Sequence, residues 1–146
     1  VKINLVVAGN QFSANIENVK DQGLFYLGNV NSRSTLFKIY QNATVTVVPS
    51  IVPESFGMVV VESLFNGTPV VASRIGGIVD LIDQGKSGYF ANPGSVEDLA
   101  RQIMFCIENN KRLRNNIKKN NFAMLRKYNW DTTATDIAKN LSGLVF

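Results

Sequence analysis

The 146-residue chain contains no histidine. Within it, that excludes a Ser-His-Asp triad, histidine-ligated zinc and a histidine general base. Any chemistry falls to carboxylates, Lys, Arg, hydroxyls and backbone amides. Cysteine occurs once, at Cys106, so no disulfide can close within the chain, which favours a reducing compartment. Lying between Phe105 and Ile107 in a helix-forming stretch, that cysteine reads as a small buried hydrophobe rather than a reactive thiol. No apolar run approaches the ~20 residues of a membrane span, and no charged-then-apolar signal segment opens the chain. It opens instead on Val1-Lys2-Ile3-Asn4-Leu5-Val6-Val7. That stretch already reads as a buried strand, the pattern expected of a chain cut from a longer protein.

What is present is the composition of an ordinary globular domain, 45% hydrophobic and 18% charged, long enough to bury a sizeable core. The net charge is +4. Much of the excess lies between Lys111-Arg112 and Arg126-Lys127, with Arg114, Lys118 and Lys119 between them. This stretch reads as a solvated helix face. The alternative is contact with an anionic membrane surface or nucleic acid.

Short apolar runs that end at glycine, proline or small polar residues predict strands at Leu5–Gly9, Leu24–Gly28, Thr44–Pro49, Pro69–Ser73 and Gly88–Phe90. Helices are expected between them. One covers Ser32–Ala43, with Leu36, Ile39 and Tyr40 at helical spacing and Ser32 or Ser34 as cap. A second covers Gly57–Asn66, stopped by Gly67 and Pro69, and a short one runs from Gly76-Gly77 through Ile82. A further helix covers Ser95–Ile107, capped by Ser95 with Asp98 at its third position. Two more are expected near Lys111–Lys127 and Asp131–Leu144, and Asn10–Gln22 is read as a polar loop with one helical turn. Strands that are continuous apolar runs, alternating with helices, indicate one α/β domain over 1–146 with a Rossmann-like parallel sheet and helices on both faces.

In such sheets ligands bind outside the carboxyl ends of the strands. The loops there carry Gly9-Asn10, Gly28-Asn29, Ser50, Ser73–Gly77 and Pro93-Gly94. The loop after the third strand stands apart. Pro49–Glu62 sets Glu54 and Glu62 eight residues apart, one before a helix and one inside it. If that helix begins near Phe56 or Gly57, its free N–H groups and positive dipole end form an anion site suited to a pyrophosphate. Gly57 would let a phosphate reach the backbone. Glu54 can accept hydrogen bonds from sugar hydroxyls, and Glu62 from ribose hydroxyls.

Glu54-x7-Glu62, continued as Ser63-Leu64-Phe65-Asn66-Gly67-Thr68-Pro69-Val70-Val71-Ala72-Ser73 and then Gly76-Gly77, resembles the C-terminal domain of retaining, GT-B-fold glycosyltransferases of family 4. The resemblance runs from about Val6 to Trp130. It takes in Val7-Ala8-Gly9, Phe25–Val30, Gly88-Tyr89-Phe90, Ser95–Ala100 and Tyr128-Asn129-Trp130 in order. It implies that Glu54 faces the transferred sugar and acts in catalysis, that Glu62 binds the ribose, and that the Ser55-Phe56-Gly57-Met58 backbone binds donor phosphate and sugar hydroxyls. By the same resemblance Gly9 and Gly28 border the donor site, and Val30 lies near the base. Three features depart from the family pattern. No upstream segment with a diphosphate-neutralising Arg and Lys precedes Val1, leaving Arg33 and Arg74 as substitutes in charge. The stretch between Gly9 and Leu24 is short, and Asp80 stands where glutamate is common.

The resemblance further implies a donor-binding C-terminal half of a longer enzyme, lacking its first strand. It binds a UDP-, GDP- or ADP-sugar as substrate and uses no metal and no cofactor. Hexose is transferred with retention to an acceptor held by a separate N-terminal domain. No nucleic-acid partner is expected. The whole enzyme would be cytoplasmic, with peripheral contact to a membrane surface. Three alternatives stay open: a non-catalytic nucleotide-binding module, an interaction module docking through its basic helices, and a sugar-nucleotide epimerase of the same fold.

Overall fold

A computed structural model describes residues 3–9, 23–127, 134, 135 and 139. The chain forms two compact units, Val1–Ile39 and Tyr40–Phe146. In the first, β1 (Leu5–Ala8) pairs in parallel with β2 (Leu24–Gly28), Leu5 opposite Leu24 and Val7 opposite Tyr26. The ends of the two strands are tied together. The Gly9 amide donates to the Gly28 carbonyl at 2.9 Å, and the Tyr26 hydroxyl donates to the Gly9 carbonyl at 2.6 Å. Helix α1 (Arg33–Asn42) starts at Ser32, whose Oγ accepts the Thr35 amide at 3.4 Å, so Ser32 is the cap.

In the second unit β3 (Thr46–Val48), β4 (Val70–Ser73) and β5 (Gly88–Ala91) form a parallel sheet in chain order. Helix α2 (Met58–Phe65) joins β3 to β4, and a 3₁₀ segment (Gly76–Asp80) begins the link to β5. Helices α3 (Val96–Glu108) and α4 (Asn110–Lys127) follow with Asn109 between them. The expected strands and their parallel sense are therefore observed, divided between a two-stranded and a three-stranded sheet, but β1, expected to be buried, is largely exposed. The expectations for Asn10–Gln22 and for Tyr128-Asn129-Trp130 lie outside the described residues, as does most of Asp131–Leu144.

Strand β4 organises the core. All four of its residues are buried, and because side chains alternate across a strand they supply two different cores. Val70 and Ala72 join Val48, Val60, Leu64, Ile78, Leu81, Ile82 and Ile117 on one face. Val71 joins Cys106 and Leu113 on the other, with Leu99 and Ile103 packed against them. Helix α2 thus covers one face and α3 the other. Each fully buried aliphatic side chain contributes roughly 1.5–3 kcal/mol. Cys106 has no solvent exposure, and burial pushes its thiol up to about 12, so it is the inert hydrophobe expected of it.

Helix α2 ends in a Schellman closure. The Thr68 amide donates to the Ser63 carbonyl at 3.0 Å and the Gly67 amide to Leu64 at 2.9 Å, after which Pro69 leads into β4. Helix α3 begins as expected, with Ser95 Oγ accepting the Asp98 amide at 3.2 Å.

Candidate functional site

The corner between β3 and α2 collects the two glutamates singled out above. Helix α2 begins at Met58, one residue later than expected. Its N-cap is Gly57, at φ 84°, with no side-chain cap hydrogen bond. The sequence suggested that Gly57 keeps its backbone open to a phosphate. The structure adds an interior reason: Gly57 is buried, and a methyl there would stand 2.9 Å from Ile78 Cγ1 and 3.3 Å from Leu81 Cδ1. Left-handed backbone and a packed interior together call for glycine.

Glu54 lies in the loop just ahead, half-buried. The Ser50 hydroxyl donates to its Oε1. Its main chain is held by Gly76-Gly77, since the Gly77 amide donates to the Glu54 carbonyl at 2.9 Å. The approach is so close that a methyl on Gly76 would lie 2.5 Å from the Glu54 oxygen, and one on Gly77 would press on the Ser55 carbonyl. The glycine pair therefore seats the loop that carries Glu54. Ser55, Phe56 and Met58 are exposed around it.

Glu62 sits one turn further along α2, half-buried. The Tyr40 hydroxyl, from the end of α1, donates to its Oε2 at 3.0 Å. Tyr40 is 7% exposed. Its phenol is raised well above the ordinary tyrosine value, first by burial and then by the hydrogen bond and charge of Glu62. It stays a protonated donor at neutral pH. Both carboxylates are thus oriented by a neutral hydroxyl, with no cationic partner for either among the described residues.

The remaining candidates divide by unit. Gly9, Gly28 and Val30 belong to Val1–Ile39, where the carboxyl ends of β1 and β2 meet at the Gly9–Gly28 hydrogen bond. Arg33 starts α1 in the same unit. Arg74 belongs to the second unit, exposed after β4, its guanidinium 5.4 Å from the centroid of the Phe90 ring. Among the described residues no group of three acidic, Cys or His side chains could hold a metal ion. No described helix is long and apolar enough to cross a membrane.

Residues 1–124 match the model of the family described as glycosyl transferases group 1. The chain belongs to that family. It is 34% identical over 114 residues to an uncharacterised glycosyltransferase of Methanocaldococcus jannaschii, covering 76% of this chain and 28% of that protein. It is 37% identical over 105 residues to the sulfoquinovosyl transferase SQD2 of Arabidopsis thaliana, covering 70% of this chain and 20% of that one. Among solved structures, Anabaena HepE in complex with UDP superposes with a TM-score of 0.77 at 25% identity, over 97% of this chain and 41% of that one. The chain therefore spans less than a third of the curated relatives it matches and under half of that solved chain. The group 1 glycosyltransferase fold on which Glu54 and Glu62 were read is the fold observed.

Ser50 and Tyr40 are the site residues that sequence reasoning missed. Ser50 was visible only as a small polar residue after a strand, and Tyr40 only as an apolar-face position of α1. Neither carries a spacing signal toward the glutamate it holds.

Proposed function

We propose that this chain is the donor half of a retaining, family 4 glycosyltransferase, binding a nucleoside-diphosphate hexose at the β3–α2 corner. The observation that carries the reading is that corner itself. An α-helix with a glycine N-cap and no side-chain cap is flanked by two carboxylates, each steadied by a hydroxyl and without a cationic partner among the described residues, a pair suited to a polyhydroxylated ligand. Glu62 takes the ribose hydroxyls. Glu54 takes the hydroxyls of the transferred sugar and stabilises positive charge that develops there. The Ser55–Met58 backbone and the start of α2 receive the diphosphate, whose charge grows as the glycosidic bond breaks. A helix N-terminus and dipoles fixed in advance stabilise that leaving group without a metal ion.

The UDP complex of HepE, at 25% identity, supports a uridine nucleotide as the first ligand to try. Gly9, Gly28 and Val30 are assigned to the same donor, Val30 toward its base. The acceptor is held by a separate N-terminal domain of a longer, cytoplasmic enzyme that touches a membrane peripherally.

The test is an NMR titration of the chain with UDP, GDP, ADP and their hexose conjugates, repeated with Glu62→Gln. Shifts at Gly28, Glu54–Glu62 and Gly76 are expected, with affinity about tenfold weaker in the variant, the effect of a lost hydrogen bond to a charged group. The chain alone is expected to transfer no sugar. Silence toward every nucleotide sinks the donor-site reading, and transfer by the pure chain sinks the two-domain one.

A further inference from the structure

Arg114 belongs to the stretch that the sequence presents as a solvated basic face. Lys111, Arg112, Lys118 and Lys119 are indeed exposed there. Arg114 is not. It is half-buried, and its guanidinium is spent on the interior: Nε donates to Asn110 Oδ1 at 3.1 Å and Nη1 to the Gly67 carbonyl at 3.2 Å. Nη2 donates to the Ala43 carbonyl and to Thr68 Oγ1, the latter at 3.4 Å. One side chain thereby joins the residue after α1, the closing turn of α2 and the start of α4. A lysine has neither the fork nor the number of donors to do this.

Thr68 continues the connection. It has no solvent exposure, and while its hydroxyl accepts from Arg114 it donates to the Tyr40 carbonyl at 2.5 Å. Tyr40 is the residue whose hydroxyl holds Glu62. Hydrogen bonds from Arg114 to Thr68 and from Thr68 to the Tyr40 carbonyl are therefore linked, through the covalent frame of Tyr40, to its hydroxyl's bond with the Glu62 carboxylate. Their effect is to fix where the phenol stands, and the phenol fixes one carboxylate oxygen.

We infer that Thr68 and Arg114 are positioning residues for the ribose-binding carboxylate, acting on Glu62 through Tyr40. This rests on the reading of Glu62 given under the proposed function. A residue that only supports the fold would affect every ligand alike, whereas a residue that aims Glu62 affects only ligands that carry ribose hydroxyls.

The experiment measures the affinity of the chain for whichever of UDP, GDP and ADP binds tightest, and for its 2′,3′-dideoxy counterpart. It does so in the natural sequence and in Thr68→Val, Thr68→Ser, Arg114→Lys and Tyr40→Phe. The natural sequence is expected to prefer the ribonucleotide by about tenfold. Thr68→Val, Arg114→Lys and Tyr40→Phe are expected to cut that preference to about threefold or less through weaker ribonucleotide binding, with dideoxynucleotide affinity kept. Thr68→Ser restores it. Equal weakening of both ligands, or an unchanged preference in the variants, overturns the positioning role while leaving Glu62 as the ribose ligand. No preference in the natural sequence, or no binding of any nucleotide, overturns the Glu62 reading and this inference with it. Should Thr68→Val fail to fold, Arg114→Lys and Tyr40→Phe decide between the same outcomes.

Discussion

Two corners of the second unit make the same turn, from the carboxyl end of a parallel strand into the start of a helix, and they finish it in opposite ways. Between β5 and α3 the turn is closed. Ser95 Oγ takes the Asp98 amide, and the Asp98 carboxylate takes the Asn92 amide at 2.7 Å, the Gln102 amide at 3.1 Å and the Arg101 guanidinium at 2.5 Å. Between β3 and α2 the turn is open. Gly57 offers no side chain, and among the described residues each of the two carboxylates beside it accepts a single hydroxyl, where Asp98 accepts three donors, a guanidinium among them. A helix start that spends its side chains on itself is structural. One that leaves its carboxylates to single hydroxyls next to a left-handed glycine is the arrangement that the proposed donor site requires.

The largest expected blow to this contrast is Gly77→Ala. The added methyl presses on the Ser55 carbonyl, and main chain cannot yield as a flexible side chain can. The loss is expected at about 3 kcal/mol, a fall in Tm of roughly 6–12 °C by circular dichroism, together with the loss of nucleotide-induced shifts at Glu54.

Asp98→Asn comes next and acts on the closed corner. The Asn92 amide, then Gln102 and then Arg101 hold the Asp98 carboxyl below its ordinary value of 3.8. Its contribution is therefore complete above that value and fades as the pH falls through the lower, folded-state one. The variant is expected to be less stable at neutral pH and to show a flatter loss of Tm in acid, with nucleotide affinity unchanged.

Ser95→Ala is the smallest of the three, costing about 1 kcal/mol, or roughly 2–4 °C in Tm, for the lost cap. It sharpens the comparison best, because calorimetry should find nucleotide binding intact. If either closed-corner variant weakens binding as much as Glu62→Gln does, the division between a structural and a functional helix start is wrong.

The closed corner could be read almost completely in the sequence, because a serine three residues ahead of an aspartate is a local signal and the contacts it makes are local. The elements of the open corner were legible too: β3 from its β-branched run, α2 from its apolar residues, its end from Gly67 and Pro69. Glu54 and Glu62 stood out by their places before and inside that helix, and the family resemblance implied their roles. What holds them did not show. Tyr40 lies 22 residues before Glu62, and Gly77 lies 23 after Glu54, separations at which spacing carries no periodic signal. Arg114 was read with its charged neighbours as solvent-facing because helical charge runs usually are. Its half-buried position depends on three carbonyl and hydroxyl oxygens brought together only by the ends of α1 and α2. Gly57 shows the same limit, since nothing near it in sequence announces Ile78 and Leu81.

The separation in sequence of the contacts around Glu62 has a consequence for synthesis. Ser50–Glu54, Tyr40–Glu62, Glu54–Gly77 and Tyr40–Thr68 all join residues no more than 28 apart. The bonds from Arg114 to Thr68, Gly67 and Ala43 reach back 46, 47 and 71 residues. Contacts that close short loops form early, and distant ones form late. On the ribosome, both glutamates and their hydroxyl donors therefore emerge and can meet well before the guanidinium that ties the ends of α1 and α2 has been translated. The bonds from Arg114 are the last of these to become possible, as the second turn of α4 leaves the exit tunnel.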